Sequence, residues 1–335
     1  MAESLKPGTA RAPGHTYQEA ILKDSSRPPE AFLDYSYEFM GDQDIPYSHY
    51  TSKDYAAREM ENLWPHVWQM ACREEHIAEP GDYQVYDIGH LSAIVTRTES
   101  MEIKAFVNAC MHRGTALKPP GDNGFCQSFR CPFHGWIYSL DGELVEVPES
   151  WDFPHVDAET HSLREILVDT WAGFVFVNFD REAEPLEQFL GVLPEHFKDF
   201  DIGNRYIETH VCKRLPVNWK AAEEAFMEAY HVKETHAGGR DFSEPVTTYD
   251  VYPLNVSRFI HTVGSVNPRM PVPPTEQELL NAMWGRRGAN DQACPTVPDG
   301  VTARDVYAEV VKKNLGEQYG QDFSHYSTAQ TLDSI

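Results

Sequence analysis

Positive charge is scarce in this chain of 335 residues: 28 lysines and arginines stand against 52 aspartates and glutamates, for a net charge of −24. A sequence-independent grip on nucleic acid or on an anionic membrane surface needs a basic face, so neither partner is indicated. Long apolar runs are also missing. No stretch of about eighteen consecutive apolar residues occurs, and the opening MAESLKPGTARAPGHTYQEA lacks the apolar centre of a secretion signal. These absences point to the cytoplasm. Cysteine is sparse, with six in the chain, too few for a disulfide framework in a protein of this size and compartment. Hydrophobic residues make up 41% of the chain, enough for a sizeable core.

The texture of the sequence changes twice. Residues 1–48 are polar and punctuated by Pro and Gly; TSKDYAAREMENLWPHVWQMA then reads as an amphipathic helix with Tyr55, Met60, Leu63 and Trp64 near helical spacing after a Thr51/Ser52 cap, ended by Pro65. From about 81, YQVYDIG, AIVTRT and IKAFVNA alternate apolar and polar residues as antiparallel strands do, and Asp141-Gly142 within WIYSLDGELVEV is a hairpin signal. WAGFVFVNF, 171–179, reads as one buried strand. Helical texture returns at NWKAAEEAFMEAYHVKETH, with Asn218 as N-cap and Gly238-Gly239 as the stop. Two strands (VTTYDVYPL, SRFIHTV) and helices near 275–284 and 302–315 follow. These shifts divide the chain into an N-terminal segment, 1–64, that packs on the last domain, a β domain at 65–165 and an α+β domain at 166–335.

Half of the cysteines fall in NACMHRGTALKPPGDNGFCQSFRCPFHGW, residues 108–136. Cys110-x-His112 and Cys131-x-x-His134 each stand at the tip of a predicted hairpin, so two thiolates and two imidazoles can converge. Zinc would take such a set tetrahedrally; a [2Fe–2S] cluster would take the cysteines on one iron and the histidines on the other. Cys72, Cys126, Cys212 and Cys294 need no role beyond small buried apolar side chains. In the later helix, Glu224, Glu228 and His231 lie at i, i+4 and i+7, a stripe that suits either a solvated acidic face or a metal site. His236 shares that face only if the helix opens or ends there. Phe226, Met227 and Tyr230 read as core residues ahead of pocket residues.

C-M-H-R-G, then C-P-F-H-G-W followed by Y-S-L-D-G, resembles the Rieske motif of the large (α) subunits of ring-hydroxylating, non-haem iron oxygenases, and N-W-K-x-x-x-E-x-F-x-E-x-Y-H-x-x-x-x-H resembles the second signature of that family. The resemblance implies an α+β fold class: an all-β Rieske domain and a helix-grip catalytic domain. It implies that Cys110 and Cys131 hold one iron of a [2Fe–2S] cluster and His112 and His134 the other, with Cys126 outside the set and KPPGDNG a surface insertion. By position, His231 and His236 become ligands of a mononuclear Fe(II). Glu228 becomes the carboxylate that bridges a Rieske histidine of one subunit to an iron-ligand histidine of the next in a head-to-tail homotrimer. It further implies NAD(P)H acting through a reductase, a ferredoxin as a possible carrier, O₂ and a small organic substrate, in aromatic hydrocarbon catabolism by dioxygenation or monooxygenation.

The family's third iron ligand is an aspartate on a later helix. Asp291, Asp299, Asp305, Asp322 and Asp333 do not stand in that context, and Asp305 reads as the N3 partner of a Thr302 cap. The expectation is therefore an N-terminal part of a longer protein whose catalytic domain is incomplete. Two other readings stay open at this point: an electron carrier or inactive remnant with no working second iron, and a zinc-stapled Cys₂His₂ binding module.

Overall fold

The computed structural model describes residues 15–235, 246–266, 272–286 and 293–333. Contacts gather the chain into two units: one of Tyr47–Leu190 with Phe197–Leu215, the other of the residues before Tyr47, with Gly191–His196 and Pro216 onward.

The first unit is antiparallel β. Its strands are β1 (Gln69–Arg73), β2 (Asp82–Ile88), β3 (Leu91–Arg97), β4 (Ile103–Val107), β5 (Asn123–Phe125), β6 (Phe129–Arg130), β7 (Ile137–Tyr138), β8 (Leu144–Glu146), β9 (Leu167–Trp171) and β10 (Phe174–Asn178). They form sheets in the orders β4-β3-β2-β5, β6-β7-β8 and β1-β10-β9. Alternation places Tyr83, Val85 and Ile94 inward, where they meet Phe106, Phe129 and Tyr138 in the core that also encloses Cys110 and Cys131. Burying a side chain of this size contributes about 1.5–3 kcal/mol. Helix Lys53–Asn62 starts at Ser52, whose hydroxyl accepts from the Tyr55 N–H. Its Met60 lies against Gly89, where φ is +58° and a Cβ would collide with the methionine. The Asp141-Gly142 turn forms as its sequence indicates, with Ser139 N–H donating to Glu143 C=O at 2.8 Å and Gly142 at φ +82°.

Two expectations for this region are corrected. The boundary near 165 is too early: β10 pairs with β1, and the β9–β10 hairpin joins the same sheet, so residues to 190 belong with the β unit. WAGFVFVNF is not one strand, because the chain turns at Ala172-Gly173, both at positive φ, and Phe174 pairs back on Trp171. KPPGDNG, expected as a surface insertion, is mostly exposed, and its end becomes β5, which pairs with β2 through Asn123↔Gln84 and Gly124↔Tyr83. The partner of a short strand is set by long-range pairing that local texture does not carry.

In the second unit β11 (Thr247–Val251) and β12 (Ser257–His261) form a hairpin. Helices Glu276–Arg286, Ala303–Tyr319 and Thr328–Leu332 pack around Leu279, Leu280, Tyr307 and Leu332. Thr302 caps the long helix: its Oγ1 accepts from Asp305 N–H at 3.1 Å and donates to the Asp305 carboxylate at 2.9 Å. The segment before Pro46 is pinned by two buried ion pairs. Arg258 binds Asp250 and donates to the carbonyls of Ala31 and Asp34. Arg304 lies between Asp24 at 3.0 Å and Asp333 at 2.9 Å, and the Tyr17 hydroxyl also donates to Asp333.

Candidate metal centres

The two cysteine loops make the same turn. Cys110 N–H donates to Thr115 C=O and Cys131 N–H to Trp136 C=O, at 2.8 and 2.7 Å; Gly114 N–H returns to Cys110 C=O and Gly135 N–H to Cys131 C=O, at 2.8 and 3.1 Å. Each turn needs a left-handed residue four places after its cysteine, and glycine supplies it at φ +73° and +76°. Only the second loop is a hairpin tip, between β6 and β7. The first follows β4, which pairs with β3 alone among the named strands, so the expected first hairpin is replaced by a self-closed loop. Its base is held by buried Asn108, whose Oδ1 accepts from Leu117 and Lys118 N–H and whose amide donates to Ser92 Oγ.

The turns bring the expected ligands together as two pairs. Cys110 and Cys131 are each 3% exposed and belong to one buried core cluster. His112 and His134 stand above, with their Nδ1 atoms facing at 3.1 Å. Burial raises the Cys110 thiol pKa, with Cys131 adding to it against hydrogen bonds that favour the thiolate, and burial, with the charges of His134 and Arg113, lowers His112. Both shifts place uncharged groups around the site until a cation supplies the balance. The indole of Trp136 stacks on His112, centroids 5.0 Å apart and planes within 8°. Among the described residues, no three His, Cys, Asp or Glu side chains form a group that could hold a single ion. Paired sulfurs below and paired imidazole nitrogens above, each pair able to serve one iron, fit a [2Fe–2S] cluster better than one tetrahedral zinc.

Tyr138, wholly buried on β7, is a participant that the motif reading passed over. Its hydroxyl accepts from Met111 N–H at 3.0 Å and lies 3.3 Å from Cys110 Sγ. Because the amide must donate, the phenolic proton is free for the sulfur. The signal was the tyrosine seven places after Cys131, which served only as part of a hairpin. A hydrogen bond to a ligand sulfur stabilises the reduced cluster. Tyr138→Phe is expected to keep the cluster and lower its midpoint potential by about 60 mV, the one-electron equivalent of about 1.4 kcal/mol. An EPR-monitored redox titration checks this, and an unchanged potential would remove the bond from the account.

At the second site the expected continuous helix is broken. Helix Trp219–Glu224, capped by Asn218 as anticipated, stops there, and a short helix resumes at Val232–Thr235. Glu228 competes for the backbone: its carboxylate accepts from His231 N–H at 3.0 Å and contacts His231 Nδ1 at 2.7 Å. Burial opposes ionisation of Glu228, yet these bonds hold its carboxyl below the usual range. Glu224, Glu228 and His231 therefore do not form one helical stripe, while Glu228 and His231 do meet. His236, Gly238, Gly239 and Asp291 lie outside the described residues. Phe226 and Tyr230, read as core, are 80% and 90% exposed, and Met227 is exposed too. Of the four cysteines given no role, Cys72 is buried, Cys126 and Cys294 are half-buried and Cys212 is exposed, so burial does not explain the last.

Comparison with known proteins meets both sites. A model for the Rieske [2Fe-2S] domain matches residues 67–157, and one for the ring hydroxylating alpha subunit (catalytic domain) matches 200–308. The chain is 34% identical over 197 residues to chlorobenzene dioxygenase subunit alpha of Cupriavidus sp. (strain PS12), covering 57% of this chain and 44% of that protein. It is 30% identical over 247 residues to biphenyl 2,3-dioxygenase subunit alpha of Rhodococcus jostii (strain RHA1), covering 72% and 50%. The crystal structure of a quaternary ammonium Rieske monooxygenase in complex with L-carnitine superposes with a TM-score of 0.58 at 25% identity, over 65% of this chain and 64% of that one. The chain spans about half the length of the curated relatives it matches.

Proposed function

Because the chain belongs to the family of Rieske-type ring-hydroxylating oxygenase α subunits, we propose that it is a terminal oxygenase component, which uses O₂ and reductase-supplied electrons to hydroxylate an aromatic or other organic molecule. The observation that carries the reading is the pair of matched turns that holds two buried cysteines and two facing imidazoles. When bound, the [2Fe–2S] cluster supplies one-electron transfer and the mononuclear iron supplies oxygen activation. Cys110, Cys131, His112 and His134 hold the first group, and His231 with His236 the second. Glu228 fixes the ring and tautomer of His231 through Nδ1.

Exposure of the histidine edge supports transfer outward from the unit, between His134 of one subunit and Glu228 of the next, in a homotrimer. NAD(P)H acts through a separate reductase, with or without a ferredoxin. Among the described residues no helix is long and apolar enough to cross a membrane, and we place the protein in the cytoplasm, in aromatic hydrocarbon breakdown.

Anaerobic purification followed by iron analysis and EPR of the reduced protein tests the reading. A rhombic signal of a histidine-ligated cluster with about three irons per chain is expected; about two irons would mark an electron carrier, and zinc without colour a binding module. Glu228→Gln should leave iron content unchanged and lower turnover about 10–100-fold. Full turnover in that variant would remove Glu228 from the electron route.

A further inference from the structure

The β11–β12 hairpin has two unlike faces. Thr248 pairs with Ile260 and Asp250 with Arg258, and all four are buried. Contacts of Asp250 with Ser36, and of Arg258 with the carbonyls of Ala31 and Asp34, show that this face lies under the N-terminal segment. The alternate residues, Thr247, Tyr249, Val251, Ser257, Phe259 and His261, stand on the other face, and none of the first five carries a formal charge at neutral pH. That face looks toward the second metal site: the Tyr249 hydroxyl accepts from Ala229 N–H at 3.0 Å, one residue from Glu228 and two from His231.

Its chemistry is specific. The rings of Tyr249 and Phe259 lie 6.4 Å apart and 32° from parallel, and Phe259 stacks on His261 at 5.9 Å and 11°. His261 Nδ1 is sealed from solvent with no hydrogen-bond partner among the described residues. A proton there would be a buried orphan donor, costing about 1–3 kcal/mol, so the imidazole is neutral and carries its proton on Nε2. Burial acts in the same direction, lowering the His261 pKa against the weaker pull of Asp333. The face therefore offers flat aromatic surface and one neutral N–H donor.

A carboxylate laid on it would give up its hydration with no cation among the described residues of the face to replace it, and with the Glu228 carboxylate on the neighbouring segment. A quaternary ammonium has no acceptor for the His261 N–H, and both oxygens of the Glu228 carboxylate that could attract it are already engaged by His231. We propose that this face receives the substrate, and that the substrate is a neutral aromatic molecule with a single hydrogen-bond acceptor, as in a phenol. The inference rests on the assignment of iron to His231 and His236 above. Within it Phe259 supplies the stacking surface, His261 donates to the acceptor, and Tyr249 is a positioning residue that holds Ala229 in place.

Fluorine NMR titration of the purified chain with 4-fluorophenol, 4-fluorobenzoate and (4-fluorophenyl)trimethylammonium tests this. The phenol should bind at least about tenfold more tightly than either charged probe, and His261→Leu and Phe259→Leu should each weaken it about tenfold, the equivalent of one hydrogen bond or one aromatic contact. Circular dichroism melting of each variant reports folding, and the ranking of the three probes on the unmodified chain needs no variant. Equal or tighter binding of a charged probe, or unchanged affinity in two folded variants, overturns the proposal. Iron analysis on the same samples separates the two assignments. Selective phenol binding by a chain with cluster iron alone would sink the iron assignment and support the face; a full iron complement with no phenol binding would sink the face alone.

Discussion

Cys131→Ser is expected to empty the cluster site without unfolding the domain around it. The loop is closed by main-chain bonds from Cys131 N–H to Trp136 C=O and from Gly135 N–H to Cys131 C=O, which serine leaves in place. Serine is close in size to cysteine, so packing against Cys110 changes little. The ligand chemistry changes completely, because a hydroxyl does not ionise near neutrality and offers a hard oxygen where the iron requires a soft thiolate. The purified variant should be colourless, lack the reduced EPR signal and carry about two fewer irons per chain, with thermal stability of the apo-protein close to that of the unmodified apo-protein. Cys126→Ser is the control: this cysteine packs at the edge of the same core but stands outside the donor set, so colour and iron should survive. Loss of the cluster in both variants, or in neither, would break the assignment.

Arg304→Met is expected to cost the second unit about 3–5 kcal/mol, the range for removing one partner of a buried ion pair. Arg304 is 4% exposed and donates to both Asp24 and Asp333, bridging the start of the chain to its last described helix. Methionine fills much of the volume and leaves two buried carboxylates facing each other. Asp24 is already raised by burial, with the charges of Asp305 and Asp333 adding to the shift against Arg304; without the guanidinium it rises further. A carboxyl whose pKa is higher folded than unfolded favours the folded state at low pH and loses that contribution as pH rises through the folded value. The stability deficit should therefore be largest near neutrality and shrink on acidification toward about pH 5. Urea unfolding at a series of pH values measures it, and a deficit that grows on acidification would show that the carboxylates are not the cause.

How much of this was legible beforehand depends on range. The two cysteine-histidine turns were readable because residue identity and spacing are local, and because Gly114 and Gly135 set each turn within five residues. Ser52, Asn218 and Thr302 were readable as caps for the same reason, each bonding to a backbone N–H two or three residues ahead. Strand partners were not, since nothing within WAGFVFVNF reveals that β10 lies against β1, about a hundred residues earlier. The helix over 218–236 failed for a different reason. Its apolar positions Phe226 and Tyr230 find no cover among the described residues, so periodicity had no packing to enforce it, and a local carboxylate contact at Glu228 decided the backbone instead. The acceptor role of Tyr249 and the sealed nitrogen of His261 leave no trace in sequence, as both arise from where a sheet face comes to rest.

The matched turns around Cys110 and Cys131 bear on which neighbours tolerate change. Each is closed by its own main-chain bonds and each places a glycine at positive φ, so the loop conformation depends on backbone and glycine more than on the side chains it carries. A side chain at position 114 or 135 would therefore disturb its loop through the backbone alone, while the cysteine and histidine side chains can be exchanged one at a time within a frame that does not depend on them.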